Sequence, residues 1–386
     1  MSTAMTGTDV VTCRFCGGAD GEVVLDMGHQ PACDHFPPTD DTGIDPTYPL
    51  RLWLCAGCKL AQLAEDPTVP DEPRAVEPLA LILQAEEAVA GVAAAGLLPS
   101  GGTVVEHGSP HGGTWLGLLA DRGVRESDGS APADVVVDSF GLMHDADMAK
   151  ALAVRAEELA PDGVLLVQYH SLRAILGQRQ WNAVRHGHPV YLSTPTVVTM
   201  LRSVGLETVA AWWFDLYGGT VLLAARRGGT PGPEVGRLID EELAAGVTDP
   251  ARLRALAESA DDIAESLRSW LLDARNANRA VLGYGAASRA VPLLNHARIG
   301  ADLLGAVADA STAKQGRRFP GVDVPIIAPD EIVSRRPDDV VLFVPDMLDE
   351  IRGRFPEIEQ GGGRWVVLEP APRAVDPLPT AGTRTT

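Results

Sequence analysis

The spacing of hydrophobic and polar positions changes along the chain, and the changes mark its elements. Ala75 to Ala95 (AVEPLALILQAEEAVAGVAAA) is built of Ala, Leu and Glu, which lose little freedom in a helix, and predicts one. The run TVVEHG then predicts a strand, HGGTWLGLLADRG a helix, and ADVVVDSF a second strand. DMAKALAVRAEELA predicts a helix closed by PDG, and GVLLVQYH a third strand. This alternation predicts an α/β unit on a mostly parallel sheet. Gly228 to Gly236 (GGTPGPEVG) reads as a boundary. A long helical pattern follows, leading into AVLGYGAASRAVPLLN, a second strand-turn-helix unit, with LLGAVAD, VVLFVPD and WVVLEP as further buried strands. The expected fold class is α/β, with four segments: a small loop-rich module over residues 1–75, a Rossmann-like domain over 76–230, a second over 231–372, and a disordered tail over 373–386.

Composition narrows the function. With 45% hydrophobic and 22% charged residues, the 386-residue chain can bury large cores. A net charge of −20 repels nucleic acid and anionic membranes, so the expected partner is a small molecule. The start has neither the basic nor the apolar part of a signal peptide, and no run approaches the roughly 20 apolar residues of a membrane span. The chain reads as cytoplasmic, and its oligomeric state is left open.

Cys13, Cys16, Cys55 and Cys58 form two C-x2-C knuckles separated by 38 residues. Two such knuckles present four thiolates to one tetrahedral Zn2+ and leave no open position, so the metal is expected to be structural. Cys33 stands apart and reads as a packing residue.

CRFCG, DMGHQPACDHFP and YPLRLWLCAGCKLAQL resemble the zinc-binding domain that opens the deoxysugar C-methyltransferases. VLGYGAASRAVPLLN, ADASTAKQGRRFPGVDVPI and GGGRWVVLEP resemble that family's C-terminal domain. The resemblance implies a zinc module, a Rossmann-like methyltransferase domain and a C-terminal Rossmann-like domain. It also implies a nucleotide-linked 4-keto sugar that is deprotonated beside its ketone and methylated from S-adenosylmethionine (SAM). Glu106, Gly108 and Gly112 stand at the turn where the family holds the cofactor, but its usual Asn-Asp pair is here Pro110-His111.

A deletion sets the centre apart. A SAM domain follows its first helix with a second strand, whose acidic end holds the ribose, and then a further helix and strand. Only nine residues, Arg125 to Ala133, separate Val124 from DVVVDSF here, too few for those elements. The ribose carboxylate and most of an adenine pocket are therefore expected to be missing, and SAM binding weak or undetectable.

The family's YHEH-type motif aligns with Arg185-His186-Gly187-His188, followed by Tyr191. The resemblance implies His188 as general base with His186 and Tyr191 beside it; the alternative is a structurally satisfied histidine, because its usual neighbours have changed. Family members also place tyrosines after the zinc module, and Asp66 to Pro78 has none; Tyr217-Gly218-Gly219-Thr220 replaces a His-Gly-Gly-Ser pattern. His107, His111, His144 and His170 lie at or near strand ends, so a second metal site and ordinary hydrogen-bonded histidines are both open.

In the C-terminal unit, Gly283 and Gly285 sit in a strand-to-helix turn, and Asp309 follows Gly283 by 26 positions, near the spacing of a dinucleotide ribose ligand. NAD(P)H is one reading. The resemblance implies another, in which the unit holds the nucleotide sugar with Lys314 and Arg317 on the diphosphate. A unit that only packs is the third. Three functions follow: the family's methyl transfer, a SAM-independent enzyme on the same scaffold (proton transfer, elimination or nicotinamide-dependent reduction), or a non-catalytic homologue.

Overall fold

A computed structural model describes residues 10–68, 77–109, 112–368 and 370–377. The Pro110-His111 substitution, most of the tyrosine-free stretch and the tail beyond residue 377 lie outside the described residues.

The N-terminal sheet runs β1 (Gly21–Pro31), β2 (Thr47–Cys55) and β3 (Ala61–Leu63), all antiparallel. The central unit contributes α1 (Leu79–Ala94), β4 (Thr103–Gly108), α2 (Leu116–Ala120), β5 (Arg125–Glu126), β6 (Ala133–Ser139), α3 (Met148–Glu157), β7 (Leu159–His170) and α4 (Leu172–Gly177). Next come β8 (Val190–Tyr191), α5 (Thr194–Ser203), β9 (Glu207–Phe214), β10 (Thr220–Arg226) and α6 (Pro233–Ala245). The last part holds α7 (Pro250–Asn276), β11 (Val281–Tyr284), α8 (Ala290–His296), β12 (Val307–Ala308), β13 (Ile326–Ile327), β14 (Asp339–Leu342), β15 (Arg364–Leu368) and β16 (Pro372–Ala374), with three short helices between β13 and β15.

The central sheet has the order β5-β4-β6-β7-β10-β9, parallel from β5 to β7, with β10 antiparallel to both neighbours. Its inner strands β6, β7 and β10 are buried on both faces, as near-continuous valine and leucine runs require. Val135 and Val137 face α1 residues Ala85, Ala88 and Val89 together with Trp115, whereas Val136 and Val167 face Leu152 of α3 and Val197 of α5. The C-terminal sheet, β13-β12-β11-β14-β15-β16, is parallel except for β16. The α/β class with two Rossmann-like sheets thus stands.

Several elements depart from the pattern-based expectation. The helix expected over HGGTWLGLLADRG is reduced to Leu116–Ala120. PDG does not close α3: Pro161 and Asp162 lie inside β7, which begins at Leu159 and shifts register against β6 between Ala133 and Val135. The residues after α2 yield only the two-residue strand β5, paired to Thr103 and Val104. The segment placed in the tail begins instead as β16, antiparallel to β15.

The units are not laid out end to end. β8, in the middle of the chain, leaves the central sheet and pairs with β3. α6 lies past the expected boundary, yet its Val235 and Leu238 pack into the central core. Its buried Glu242 accepts from the Ser171 hydroxyl at 2.9 Å and the Thr194 amide. α7, begun by Pro250 and capped by the Asp249 carboxylate on the Ala251 amide, shares one core with Leu25 and Leu50 of the zinc module and with Leu294 and Phe319. Among the described residues no helix is long and apolar enough to cross a membrane.

Candidate functional site

The two cysteine knuckles meet between β1 and β3. Cys13 and Cys58 place their Sγ atoms 3.4 Å apart, Cys16 and Cys55 3.6 Å, and all four sulfurs lie within 4.8 Å of one another. A tetrahedral site with Zn–S of about 2.3 Å needs sulfurs about 3.8 Å apart, so the donor set and spacing fit Zn2+. Gly17 completes the first knuckle at φ +70°, its amide donating to the Cys13 carbonyl, a conformation that suits glycine. Cys33 is buried, and its thiol faces the His186 carbonyl at 3.1 Å.

A cavity opens where the carboxyl ends of the central sheet face those of the C-terminal sheet. Ser109, Ser139 and His170, at the ends of β4, β6 and β7, line one wall; Tyr284, Asp309 and Val344, at the ends of β11, β12 and β14, line the opposite wall. Open α/β sheets place ligands at such strand ends. Arg185, Arg289, Lys314 and Arg354 bring positive charge to this space, with His144 and His188 beside them, and Glu77, Asp309, Asp346 and Glu350 bring as many carboxylates.

Arg185 is held at three points. Its Nε donates to Ser288 Oγ at 2.9 Å, Nη1 to the Ala183 carbonyl at 3.0 Å, and Nη2 lies 2.7 Å from His188 Nε2. Because a guanidinium only donates, His188 Nε2 is the acceptor and its lone pair is engaged. His188 is buried, edge-on to His144 with ring centroids 4.4 Å apart. His144 Nδ1 faces the Gly187 carbonyl at 3.0 Å. The Tyr191 hydroxyl accepts from the Arg185 amide and donates to the Arg185 carbonyl, and burial pushes its pKa well above the ordinary tyrosine value, so it stays protonated. Tyr191 therefore fixes the loop.

Lys314 is 2% exposed, donates to the Ala286 carbonyl at 3.0 Å and stands 5.0 Å from the Phe36 ring centre. Arg289 stacks over Tyr217, and burial, then the Arg185 charge, lowers its proton affinity. His170 is 7% exposed, lines the cavity, and its Nε2 has no hydrogen-bond partner. Burial, then the charges of Arg289 and Arg185, lowers its pKa to about 3, so it is neutral at pH 7.

Other sequence candidates fall elsewhere. His186 is buried outside the cavity with its Nε2 toward the Pro49 carbonyl at 3.1 Å, so it joins the motif loop to β2. Arg317 donates to the Phe36 carbonyl at 2.6 Å and is not a lining residue; it fastens the zinc module to the C-terminal unit. Gly283 is a packing glycine, since a Cβ there would lie 2.8 Å from Phe343 and 2.9 Å from Val307. Gly285 does line the cavity, at φ +91°, but its amide donates to the Ala308 carbonyl. The Asp309 carboxylate accepts from the Ala286 and Ser311 amides, so the turn that a dinucleotide phosphate would use is filled by the protein's own anion. The nicotinamide expectation therefore finds no support. The second metal site finds none either: among the described residues the four cysteines are the one ligand cluster, His107 pairs with Glu158, and His111 lies outside them.

At the first turn, Gly112 lines the cavity and Gly108 does not. Both Glu106 oxygens are occupied, by the Thr114 hydroxyl and the Trp115 amide. Trp115 is 2% exposed within the core between α1 and the sheet. No residue from 125 to 132 lines the cavity, and Glu126, at the end of β5, is exposed. The orphaned His170 nitrogen carried no signal in the sequence beyond its position at a strand end.

The cysteine cage, the two Rossmann-like sheets and the cavity between them define a zinc-module α/β protein with a two-walled small-molecule site. Residues 13–71 match the family model of a zinc binding domain, and residues 215–370 match the model described as the C-methyltransferase C-terminal domain. The chain thus carries both the zinc-binding and the C-terminal domain that these two models describe. It is 25% identical over 404 aligned positions to C-methyltransferase NovU of Streptomyces niveus, covering 94% of this chain and 96% of NovU. Similar solved structures include the 1,6-didemethyltoxoflavin-N1-methyltransferase of Burkholderia thailandensis, 15% identical with a TM-score of 0.30 over 45% of this chain and 98% of that one. The CcbJ methyltransferase of Streptomyces caelestis is 16% identical with a TM-score of 0.26, over 38% and 90% of the two chains.

Proposed function

We propose that the chain binds a nucleotide-linked keto sugar between its two Rossmann-like sheets and moves the proton beside the ketone, without SAM as co-substrate. The observation that carries this reading is the cavity itself: Arg185, Arg289, Lys314 and Arg354 line it beside three histidines and the carboxylates Glu77, Asp309, Asp346 and Glu350, and it receives nothing from the stub that replaces the second strand. The guanidinium and ammonium groups match a diphosphate, and they balance the lining carboxylates in a chain whose net charge is −20. A neutral imidazole suits proton abstraction beside a ketone near pH 7. The C–H bond breaks, its electron pair moves to the ketone oxygen as an enolate, and the proton rests on an imidazole nitrogen. Return of a proton to the same carbon restores the ketone, with solvent hydrogen or the opposite configuration.

SAM does not fit the residues present. The outer strand offers no carboxylate to the cavity for a ribose, and the Glu106 carboxylate already holds the first turn closed. A second reading, methyl transfer itself, is favoured by similarity to NovU over nearly the whole chain. Calorimetry with thymidine diphosphate tests the substrate side. Binding that falls tenfold or more in a Lys314→Ala variant is expected; negligible heat from both proteins would remove the proposal.

A further inference from the structure

We infer that His170, not His188, takes up and returns the proton, while His188 positions Arg185; this rests on the proton-transfer reading above. The residues around the cavity sort themselves by what their polar atoms already hold. His188 Nε2 faces Arg185 Nη2 at 2.7 Å, so its lone pair is spent on a cation that cannot accept a proton. His186 is turned to the Pro49 carbonyl, and Tyr191 both donates to and accepts from the Arg185 backbone. His144 faces the Gly187 carbonyl through Nδ1 and rests against the His188 ring, as part of the same fixed loop contact.

His170 is placed differently. It ends β7, where pairing of its backbone with Thr220 of β10 sets its position, and its amide donates to Met143 Sδ at 3.3 Å. The ring lies 6.1 Å from Tyr217, centre to centre, at 63°. It is buried in the cavity wall and Nε2 makes no hydrogen bond of ordinary geometry, although the Tyr217 backbone and the Gln180 side chain lie close enough to favour the protonated ring. Buried side-chain nitrogens are satisfied in most proteins, so an orphan in a cavity wall marks where a ligand atom completes the site. With Nε2 of His188 accepting from Arg185, that ring's proton sits on its buried Nδ1 and its lone pair is engaged, whereas Nε2 of the buried His170 makes no hydrogen bond.

Charge then ties its basicity to occupancy. After burial, the Arg289 and Arg185 guanidinium groups do most to depress His170, to about 3. A diphosphate or a developing enolate that pairs with these cations offsets their effect and favours the imidazolium. The base strengthens when the anionic substrate is seated and stays weak in the open cavity.

The test follows solvent deuterium entering the carbon beside the ketone of a thymidine diphosphate 4-keto-6-deoxyhexose in 2H2O, by proton NMR. Thymidine diphosphate affinity is measured in parallel by calorimetry. His170→Asn and His170→Gln are expected to bind thymidine diphosphate within about threefold of the unsubstituted protein and to slow exchange at least about 100-fold. His188→Asn is expected to weaken binding through the loosened Arg185, yet at saturation to exchange within about tenfold of the unsubstituted protein. His144→Asn is expected to behave as His188→Asn does. Normal exchange in both His170 variants, or a 100-fold loss at saturation in His188→Asn, overturns the assignment. Loss of thymidine diphosphate binding in both His170 variants makes His170 a packing residue and also overturns it. Binding without any exchange in the unsubstituted protein overturns the proton-transfer reading, and the assignment falls with it.

Discussion

Nη2 of Arg185 stands 2.7 Å from Nε2 of His188, in the motif where the family resemblance offers a tyrosine and a base. The guanidinium brings a cation to the cavity and occupies the histidine's lone pair. Removing it in Arg185→Ala is expected to weaken thymidine diphosphate binding about 10- to 100-fold, the range for a lost charge-assisted hydrogen bond. Calorimetry at fixed ionic strength reads this directly, and an unchanged affinity would place the diphosphate elsewhere.

The cysteine cage predicts one zinc per chain. Cys13→Ser is expected to release the metal and unfold the module, because a cage of thiolates and its local fold form together. Since α7 shares a core with β1 and β2, the damage is expected to spread to the C-terminal unit as a lower denaturation midpoint. Elemental analysis finding no zinc in the purified protein, with all five thiols freely titratable, would contradict the claim.

A buried ion network supports the loop that carries His144. Asp138 is fully buried, receives Arg155 Nε at 2.6 Å and the Leu142 amide at 2.8 Å, while Arg155 reaches Asp145 at 2.8 Å. Arg155→Met leaves the Asp138 carboxylate without its cation and is expected to cost about 3–5 kcal/mol by urea denaturation. A loss under about 1 kcal/mol would show that the network is not carrying the loop.

How much of this was legible beforehand varies by residue. The zinc ligands were, because four thiols at knuckle spacing have few other uses. The deletion was also legible, because counting residues between Val124 and the next strand limits what can fold there; β5 is what remains. Placement across units was not. β8 reads as a short apolar run wherever it pairs, and nothing local says that it joins β3. Arg317 and Lys314 are near neighbours of the same charge and both meet Phe36, Arg317 at its carbonyl and Lys314 over its ring, yet only Lys314 lines the cavity. Gly283 and Asp309 have the spacing of a dinucleotide site, but Phe343 and the turn amides occupy the space and donors that such a site needs.

The depressed His170 gives a signed pH dependence. Above its ordinary value of 6.5 the ring is neutral folded or unfolded, and it contributes nothing to the slope. As pH falls from 6.5 toward about 3, the unfolded chain takes a proton that the folded protein refuses, so stability declines. Between pH 7 and pH 5 the unsubstituted protein is expected to lose more stability than His170→Gln in parallel urea titrations. Equal slopes would mean that the imidazole is not held neutral.

The central claim is that the family scaffold has kept its sugar cavity and lost its methyl-donor site. The ribose carboxylate and adenine walls of a SAM pocket come from elements that nine residues, Arg125 to Ala133, cannot supply. Two or three lost contacts of about 1–3 kcal/mol each lower affinity by several orders of magnitude. Titration calorimetry of the zinc-loaded protein with SAM, alone and with thymidine diphosphate present, tests this most directly. The expected result is heat from thymidine diphosphate and none from SAM under either condition; micromolar SAM binding would contradict it and restore methyl transfer as the activity.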